Sequence, residues 1–343
     1  MRATPLVLVL FLAVAIGACA AALAWVNRPQ DAGPGLSEPL PSASFAPYRE
    51  GQSPLTKVYP SAAQIEEDLA RLQGLVRGVR TYTAREGMEI VPALAGQYGL
   101  TVTHGAWIGG EDDQNRAEIE ALIASANRYP DTVRRVIVGN EVLLRNDLSA
   151  AKLIALIREV KARVAQPVSY ADVWAFFLKN PEVAAEIDIL TIHTLPFWED
   201  EPVSVENAAE HIVKIHRLVA DAFPGKPILI GESGWPTMGR QRGPAAPGVV
   251  NAARFQRSLV QVARDNGFDF NFVEAFDQPW KSALEGTMGA GWGMISSARE
   301  ARYPAEGPVV EDPHWPVELA LSAMLAAGLV AAFAGRLRRA APG

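Results

Sequence analysis

Short apolar runs alternate with amphipathic stretches eight times between residues 45 and 303. The runs predict strands at Phe45–Arg49, Val76–Thr81, Leu100–Trp107, Val133–Gly139, Pro167–Tyr170, Ile187–His193, Pro227–Gly231 and Asn271–Glu274. Runs such as VIVG and ILIG are rich in β-branched residues, as expected of strands buried on both faces. Strand–helix alternation predicts a parallel sheet, and eight units in about 255 residues favour a closed (β/α)8 barrel over an open sheet.

Helix signals fill the gaps between these strands. Ser61 and Gln64 are spaced as a capping box ahead of IEEDLARLQGL, while Ser149 and Ser204 are candidate N-caps further along the chain. Gly267 follows a helical stretch that starts at Val249 and predicts its end. The stretch after the eighth strand, KSALEGTMGAGWG, is short and glycine-rich, so its helix is the weakest of the series.

Two apolar segments flank the barrel region. Residues 6–26 carry no charge, and residues 317–335 carry only Glu318, so each is long enough and apolar enough to cross a bilayer. Arg2 precedes the first segment and arginines follow the second, so the positive-inside rule predicts that both termini are cytoplasmic. The pattern therefore predicts a protein of the cell (inner) membrane whose barrel lies on the extracytoplasmic, periplasmic side.

The predicted division of the chain has seven parts. They are a cytoplasmic amino terminus (1–5), a transmembrane anchor (6–26), a Pro/Gly/Ser-rich linker (27–44), the barrel (45–303), a second linker (304–316), a transmembrane helix (317–335) and a basic cytoplasmic tail (336–343). The first segment could instead be a cleaved signal, or a lipoprotein signal with Cys19 lipidated. The second could be a tail helix on the membrane surface, although it lacks a polar face.

Composition excludes several classes of protein. The formal net charge of −6 provides no basic face for nucleic acid. Cys19 is the single cysteine, so no internal disulfide can form. No HExxH, P-loop or GxGxxG motif occurs, and His211 and His216 are not spaced to share one helix face. We therefore predict no cofactor and no metal.

Polar residues gather where the predicted strands end, which is where barrel enzymes place their sites. The fourth strand ends in VGNE, with Asn140 and Glu141, and the seventh ends in GESGWP, with Glu232. These strands lie on opposite sides of an eight-stranded barrel, so the two carboxylates can face each other. Facing carboxylates about 5–5.5 Å apart cleave a glycosidic bond with retention, one as acid/base and the other as nucleophile.

Further candidates for substrate contact follow the other strands. They are Arg80, Tyr82, Asp172, Trp174, His193, Trp198, Trp235, Glu274, Trp280 and Lys281. The tryptophans offer flat faces to the C–H side of a pyranose ring, but they could equally belong to the core. Asp172 could cap the following helix, His193 could be a buried histidine with satisfied hydrogen bonds, and Glu274 could merely orient a lysine.

The pairing of VGNE with GESGWPT, followed by EAFDQPWK, resembles glycoside hydrolase family 17 over about residues 45–294. The resemblance implies a retaining (β/α)8 enzyme that acts on a β-1,3-glucan polysaccharide or oligosaccharide through a covalent glycosyl-enzyme. It implies that Asn140-Glu141 is the acid/base motif and Glu232 the nucleophile. Glu274 and Lys281 match a supporting carboxylate and lysine near that nucleophile.

Several details depart from the plant members of that family. The first strand reads FAPYR, the sixth ends in HTLPFW, and the chain has predicted membrane segments. These details resemble a bacterial membrane-bound branch, some of whose members build or remodel β-glucans by transglycosylation. Hydrolysis, transglycosylation and glucan binding without turnover all remain open at this point. A lyase or aldolase would want a Schiff-base lysine on a strand, whereas Lys281 lies beyond its strand.

Overall fold

Eight parallel strands close into a barrel in sequence order in the computed structural model, which describes residues 5–339. The strands are β1 (Ala43–Ser44), β2 (Gly78–Arg80), β3 (Thr101–Ala106), β4 (Val133–Asn140), β5 (Val168–Val173), β6 (Ile189–His193), β7 (Ile228–Ser233) and β8 (Asp269–Phe272). β1 pairs in parallel with both β2 and β8, which closes the sheet. The predicted (β/α)8 class is confirmed.

Helices surround the barrel and connect its strands. They are α2 (Ala62–Leu72), α3 (Val91–Gln97), α4 (Asp112–Arg128), α5 (Ala150–Lys161), α6 (Trp174–Lys179), α7 (Pro181–Glu186), α8 (Val205–Ala222), α9 (Val249–Asn266) and α10 (Ser282–Glu285). The predicted capping box begins α2, because Ser61 and Gln64 bond reciprocally. Gly267 ends α9 at a left-handed φ of 68°, a conformation that glycine adopts without steric cost. The segment after β8 forms only short turns and α10, as its glycine content predicts.

The first strand lies earlier than the predicted Phe45–Arg49. Ala43 and Ser44 form β1, and Ser44 is in register with Arg80. Two small residues give no apolar run, so the pattern of the sequence pointed to Phe45 instead. That residue is 1% exposed and packs edge-on against Phe276, so it belongs to the core just beyond the strand.

The compact unit that contains the barrel runs from Ala32 to Gly307, which is wider than the predicted 45–303. Leu40, within the predicted linker, is 2% exposed. Arg257 of α9 donates to the carbonyl oxygens of Gly33, Pro304 and Gly307. These bonds hold parts of both predicted linkers against the barrel.

The remaining described residues form a second unit of two long helices, α1 (Pro5–Val26) and α11 (Trp315–Arg339), which pack against each other. A backbone bridge joins Gln30 to Val309, and the Asp312 amide donates to Asn27. Both helices are long and apolar enough to cross a membrane, and their apolar windows are not buried within the protein. Residues 1–4 and 340–343, parts of the predicted cytoplasmic ends, lie outside the described residues.

Candidate active site

Glu141 and Glu232 face each other at the carboxyl-terminal end of the barrel. Glu141 directly follows β4, and Glu232 lies in β7 in register with His193 of β6. One carboxylate oxygen of each glutamate and one ring nitrogen of His193 all lie within 4.8 Å of one another. The two glutamate side chains are 23% and 12% exposed. The pair is therefore close, opposed and partly open to solvent, with the spacing that suits a covalent intermediate.

The backbone at the end of β4 directs the Glu141 side chain into the opening at the carboxyl-terminal end of the barrel, which we call the mouth. Glu141 has a φ of 54°, a left-handed conformation that is uncommon outside glycine. Its amide donates to Ala171 of β5 at 2.8 Å. Gly139 has a φ of 89°, and a Cβ added there would come within 2.7 Å of Val142. Glycine at this position therefore lets the strand end in the turn that presents Glu141.

Arg80 of β2 ties both glutamate-bearing strands together and is 1% exposed. One guanidinium nitrogen donates to Asn140 Oδ1 at 2.6 Å. The other donates to Gly231 O at 2.7 Å and to Glu232 Oε1 at 3.2 Å. The buried guanidinium therefore forms an ion pair with Glu232 and fixes the position of its carboxylate.

His193 is 1% exposed and lies between the two glutamates. Its Nδ1 is 2.7 Å from Glu141 Oε1, and its Nε2 is 3.5 Å from Glu232 Oε1. Burial raises the pKa of Glu141, but the hydrogen bond and charge of His193, with the charges of Arg145 and Arg80, outweigh burial and hold that pKa below its ordinary value. The sequence alternative of a buried histidine with satisfied hydrogen bonds describes His193 better than direct sugar contact does.

Asn140 lies beside the same pair of carboxylates and is 7% exposed. Its Oδ1 is taken by Arg80, while its Nδ2 has no hydrogen-bond partner among residues 5–339. The Asn140 amide therefore retains donors that a sugar hydroxyl can accept.

Arg145 is a residue of this site that sequence reasoning missed. It donates to the carbonyls of Asn140 and Ile108, and its guanidinium lies 4.4 Å from the centre of the Trp107 ring. Its amide donates to Glu141 O at 2.9 Å, so it closes the turn that Glu141 begins. An arginine four residues after a glutamate is a common helical pair, so the sequence carried no distinctive signal.

Asp172, one of the predicted substrate contacts, is bonded within the protein instead of facing the opening of the barrel. Asp172 is fully buried, and its carboxylate accepts from Tyr170 OH and from the amides of Val173 and Leu144. Tyr170 OH in turn accepts from the Leu143 amide at 2.9 Å. The pair thus holds the turn that follows Glu141, and burial raises the pKa of both Asp172 and Tyr170.

Glu274 and Lys281 form an ion pair next to the nucleophile candidate. Lys281 Nζ is 3.0 and 3.2 Å from the two Glu274 oxygens, and Glu274 is 1% exposed. Burial raises the pKa of Glu274, and the charge of Lys281 limits that rise. The pKa of Lys281 is raised despite its own burial, mainly by the charges of Glu274 and Glu285. With so little exposure, Glu274 orients the lysine, which is the partner that can reach a ligand.

Tyr82 and Trp280 lie at the part of the mouth formed after β1, β2 and β8. Tyr82 OH bonds to Ser44 Oγ at 2.7 Å, and the Tyr82 ring lies 4.7 Å from the Arg80 guanidinium carbon. Burial raises the pKa of Tyr82 well above its ordinary value, so it is a neutral hydrogen-bonding group. Trp280 is half-buried, and its ring meets Tyr48 edge to face.

Trp235, one of the predicted sugar-stacking residues, lies in the core. Trp235 has no exposed surface, because its ring packs against Phe197 and Phe255 and its Nε1 donates to Ala246 O. Its sequence position after the nucleophile motif suggested the mouth, but the loop turns its ring into the core.

Trp198 and Trp174 are half-buried on the opposite part of the rim. One face of Trp198 is covered by Arg242 at 4.7 Å, and its ring lies almost parallel to Trp292 at 6.4 Å. Its flat faces are therefore largely occupied. Trp174 donates from Nε1 to Glu199 at 3.3 Å, so it keeps its ring edge fixed next to a carboxylate.

The spacing of Glu141, His193 and Glu232 would also suit a metal ion. Arg80 stands 3.2 Å from the Glu232 oxygen and 3.4 Å from His193 Nε2. This fixed cation already balances the charge of the cluster and would repel a second one. The donor set thus fits an ion-paired hydrogen-bond network better than a metal centre.

A closed parallel barrel that opposes two partly exposed glutamates across its carboxyl-terminal mouth has the architecture of a barrel glycosidase. Residues 42–293 match the BtgE/BtgC glycoside hydrolase domain, and the chain belongs to that family. The resemblance to glycoside hydrolase family 17 is thereby confirmed.

Individual relatives agree with this assignment. A glucan 1,3-beta-glucosidase of Arthroderma benhamiae is 28% identical over 71% of this chain and 84% of its own length. One from Schizosaccharomyces pombe is 30% identical over 65% of this chain and 75% of its own length. The family 17 β-1,3-glucanosyltransferase of Rhizomucor miehei superposes with a TM-score of 0.69 at 26% identity, covering 78% of this chain and 98% of the enzyme. These relatives are fungal, so the bacterial membrane-bound branch stays a prediction.

Proposed function

We propose that the protein acts on β-1,3-glucan by a two-step retaining mechanism, with Glu232 as nucleophile and Glu141 as acid/base. The observation that supports this most is the approach of the two carboxylates to within 4.8 Å, the range in which one attacks the anomeric carbon directly. The substrate class rests on the relatives. They are named as glucan 1,3-beta-glucosidases, and an active-site mutant of the Rhizomucor enzyme is in complex with laminaritriose.

The residues present account for each step of this mechanism. Glu232, ionised beside Arg80, attacks the anomeric carbon while Glu141 gives a proton to the departing glycosidic oxygen. In the second step Glu141 takes a proton from the incoming hydroxyl as it displaces Glu232. The Asn140 amide donates to a sugar hydroxyl, a bond that strengthens in the transition state.

Substitution of each glutamate tests these roles. Glu232→Gln removes the nucleophile and Glu141→Gln the acid, so turnover of laminaritriose by the full chain in detergent is expected to fall by about 10⁴-fold or more for the first and 10²- to 10⁴-fold for the second. The control is Glu201→Gln, an exposed glutamate on the β6–α8 loop, which is expected to leave turnover unchanged. A Glu232→Gln protein with wild-type turnover would contradict the proposal.

Transglycosylation is the second candidate for the main reaction. It is favoured by the likeness to a β-1,3-glucanosyltransferase, and it differs from hydrolysis only in whether sugar or water captures the glycosyl-enzyme. Incubation with end-labelled β-1,3-glucan oligomers separates the two. Products longer than the starting oligomer identify transfer, whereas shorter products alone identify hydrolysis.

We further propose that α1 and α11 cross the inner membrane and hold the barrel on the periplasmic side. The support is two paired helices whose apolar windows, Val9–Val26 and Trp315–Ala332, are not buried within the protein, with Phe11 and Leu325 among the exposed residues. In a Cys19→Ser background, a cysteine at exposed Thr56 should react with a membrane-impermeant maleimide in spheroplasts, whereas one at Ala340 should react only after lysis. Labelling of Ala340→Cys in intact spheroplasts would contradict this arrangement. Lipid incorporation that is abolished by Cys19→Ser would identify the lipoprotein alternative.

A further inference from the structure

We propose that His193 is the positioning partner of the acid/base residue, which it holds through Nδ1 and with which it shares one proton during the reaction. The inference rests on the proposed roles of Glu141 and Glu232 and deepens them. This role replaces the direct sugar contact predicted for His193, because its imidazole is only 1% exposed.

The first observation is the bond between the ring and the acid. Nδ1 lies 2.7 Å from Glu141 Oε1, a length typical of a hydrogen bond that involves a charged partner. The carboxylate and the imidazole can therefore exchange the proton between them without any movement of the chain.

The second observation is that the other ring nitrogen has a partner in either protonation state. Nε2 lies 3.4 Å from Arg80, which can only donate, and 3.5 Å from Glu232 Oε1, which accepts when ionised. In the neutral ring that keeps its proton on Nδ1, Nε2 accepts from Arg80. In the protonated ring, and in the neutral ring left after Nδ1 gives up its proton, Nε2 carries the proton and faces Glu232 Oε1. Both forms that exchange the Nδ1 proton therefore keep Nε2–H next to the Glu232 oxygen, so the proton can move without leaving that nitrogen alone among donors.

The third observation is the charge around the ring. Arg80 faces His193 from β2, Glu141 from the end of β4, Asp172 from β5 and Glu232 from β7. Arg145 also acts on Glu141, and together Arg80 and Arg145 offset Glu232 and Asp172, so one proton on the Glu141–His193 pair makes the group nearly neutral. Loss of that proton would leave Glu141 negative beside Glu232 and Asp172.

The proton that leaves the Glu141–His193 pair in the first step returns to it in the second. In the first step the proton passes from Nδ1 to the Glu141 carboxyl, and the carboxyl protonates the glycosidic oxygen while the C–O bond breaks and the Glu232–carbon bond forms. In the second step the acceptor hydroxyl, or water, attacks that carbon and gives its proton to Glu141. Glu232 leaves as a carboxylate, and the proton returns to the Glu141–His193 pair.

Two substitutions of His193 separate the positioning of Glu141 from the sharing of a proton with it. In His193→Asn the side-chain amide stands where Nδ1 was, so it keeps a donor for Glu141 but cannot titrate. In His193→Gln the amide stands where Nε2 was, so the donor to Glu141 is lost. His216→Gln is the control, since His216 is a half-buried histidine on α8 that stacks on Phe268.

The readouts are kcat/KM against pH for laminaritriose and for dinitrophenyl β-laminaribioside, whose leaving group departs without a proton. We expect His193→Gln to lower kcat/KM for laminaritriose by about 10- to 100-fold and for the aryl glycoside by less than about 3-fold. His193→Asn should retain most of the rate at its optimum. Both variants should move the basic limb of the laminaritriose profile to lower pH, because the imidazole that shares the proton with Glu141 is then gone.

Two results would overturn the inference while leaving the proposed function intact. One is an equal loss on both substrates with an unmoved pH profile, which is what a merely structural histidine produces. The other is wild-type behaviour of both variants. Wild-type protein that turns over neither substrate would instead remove the proposed function, and the inference with it.

Discussion

Arg80 is a cation that several buried polar groups of the site share. Its two terminal nitrogens donate to Asn140, Gly231 and Glu232, and the Arg80 side chain is itself buried. Gly231 leaves room for it, since a Cβ there would come within 3.3 Å of the guanidinium. The fork geometry of arginine lets one side chain fix residues from two opposite strands.

Arg80→Lys is therefore expected to be a severe change. A lysine ammonium keeps the charge but cannot bond to both Asn140 and Glu232, so we expect kcat/KM on laminaritriose to fall by about 100-fold. Arg77→Lys, three residues earlier and 61% exposed, is the matched control and should remain within about 2-fold of wild type. Equal activity of Arg80→Lys and wild type would show that charge alone suffices.

At the scale of elements, the sequence predicted most of the strands and the strand ends that form the site. Clusters of β-branched residues identify buried strands such as β4 and β7. Once a strand is placed, the polar motif directly after it is placed at the carboxyl-terminal end of the barrel. Sequence reasoning failed at β1, whose Ala43 and Ser44 leave no apolar signal. It also could not tell which way a loop aims a side chain, so Trp235 was assigned to the mouth and Asp172 to the substrate.

The core position of Trp235 makes a prediction that distinguishes packing from sugar binding. Trp235→Phe loses the bond from Nε1 to Ala246 O and part of a buried ring, so the free energy of unfolding should fall by about 1–3 kcal/mol. Because the ring does not reach the mouth, KM and kcat on laminaritriose should remain within about 2-fold of wild type. Urea unfolding and initial rates on the same preparation provide both numbers, and a raised KM with unchanged stability would restore the stacking role.

At the scale of the whole molecule, a buried ion pair joins the chain after β8 to α2. Arg299 donates from Nε and a terminal nitrogen to the two oxygens of Asp68, at 2.9 and 2.6 Å, and Asp68 is fully buried. Arg49 adds a weaker contact at 3.3 Å. This contact holds the last part of the barrel unit to the first helix of the barrel, 231 residues apart in sequence.

Removing one partner of the Arg299–Asp68 ion pair should therefore lower the free energy of unfolding more than removing both charges does. Arg299→Met leaves the Asp68 carboxylate buried with only Arg49 nearby, and we expect the free energy of unfolding to fall by about 3 kcal/mol. Adding Asp68→Asn should recover part of that loss, because the buried charge is then gone. Arg163→Met, which breaks partly exposed pairs with Glu120 and Glu159, should cost less than about 1 kcal/mol.

The pH dependence of stability combines two buried groups of opposite sign. His104 lies inside the barrel, where its Nδ1 bonds to Thr81 at 2.7 Å and its Nε2 has no hydrogen-bond partner among the described residues. Burial lowers the pKa of His104 from 6.5 to about 4. Between those values the unfolded chain binds the proton and the folded chain does not, so stability from this group is complete above pH 6.5 and is lost as the pH falls toward 4. Burial raises the pKa of Glu274. The folded protein therefore loses stability through Glu274 as the pH rises above the ordinary glutamate range.

Removal of each group should therefore tilt the stability profile in opposite directions. His104→Asn keeps a partner for Thr81 and removes the titration, so its free energy of unfolding relative to wild type should improve by about 3 kcal/mol between pH 6.5 and pH 4. Glu274→Gln should shift the relative stability the other way, becoming more favourable as the pH rises. Urea unfolding of the full chain in detergent across pH 4–7 measures both slopes, and a His104→Asn profile parallel to wild type would mean that the imidazole is charged inside the barrel. At low pH the folded protein loses stability through His104. At high pH the Glu141–His193 pair loses the proton that the proposed chemistry needs. Stability of the core therefore sets the lower limit of the active pH range, and the active site sets the upper limit.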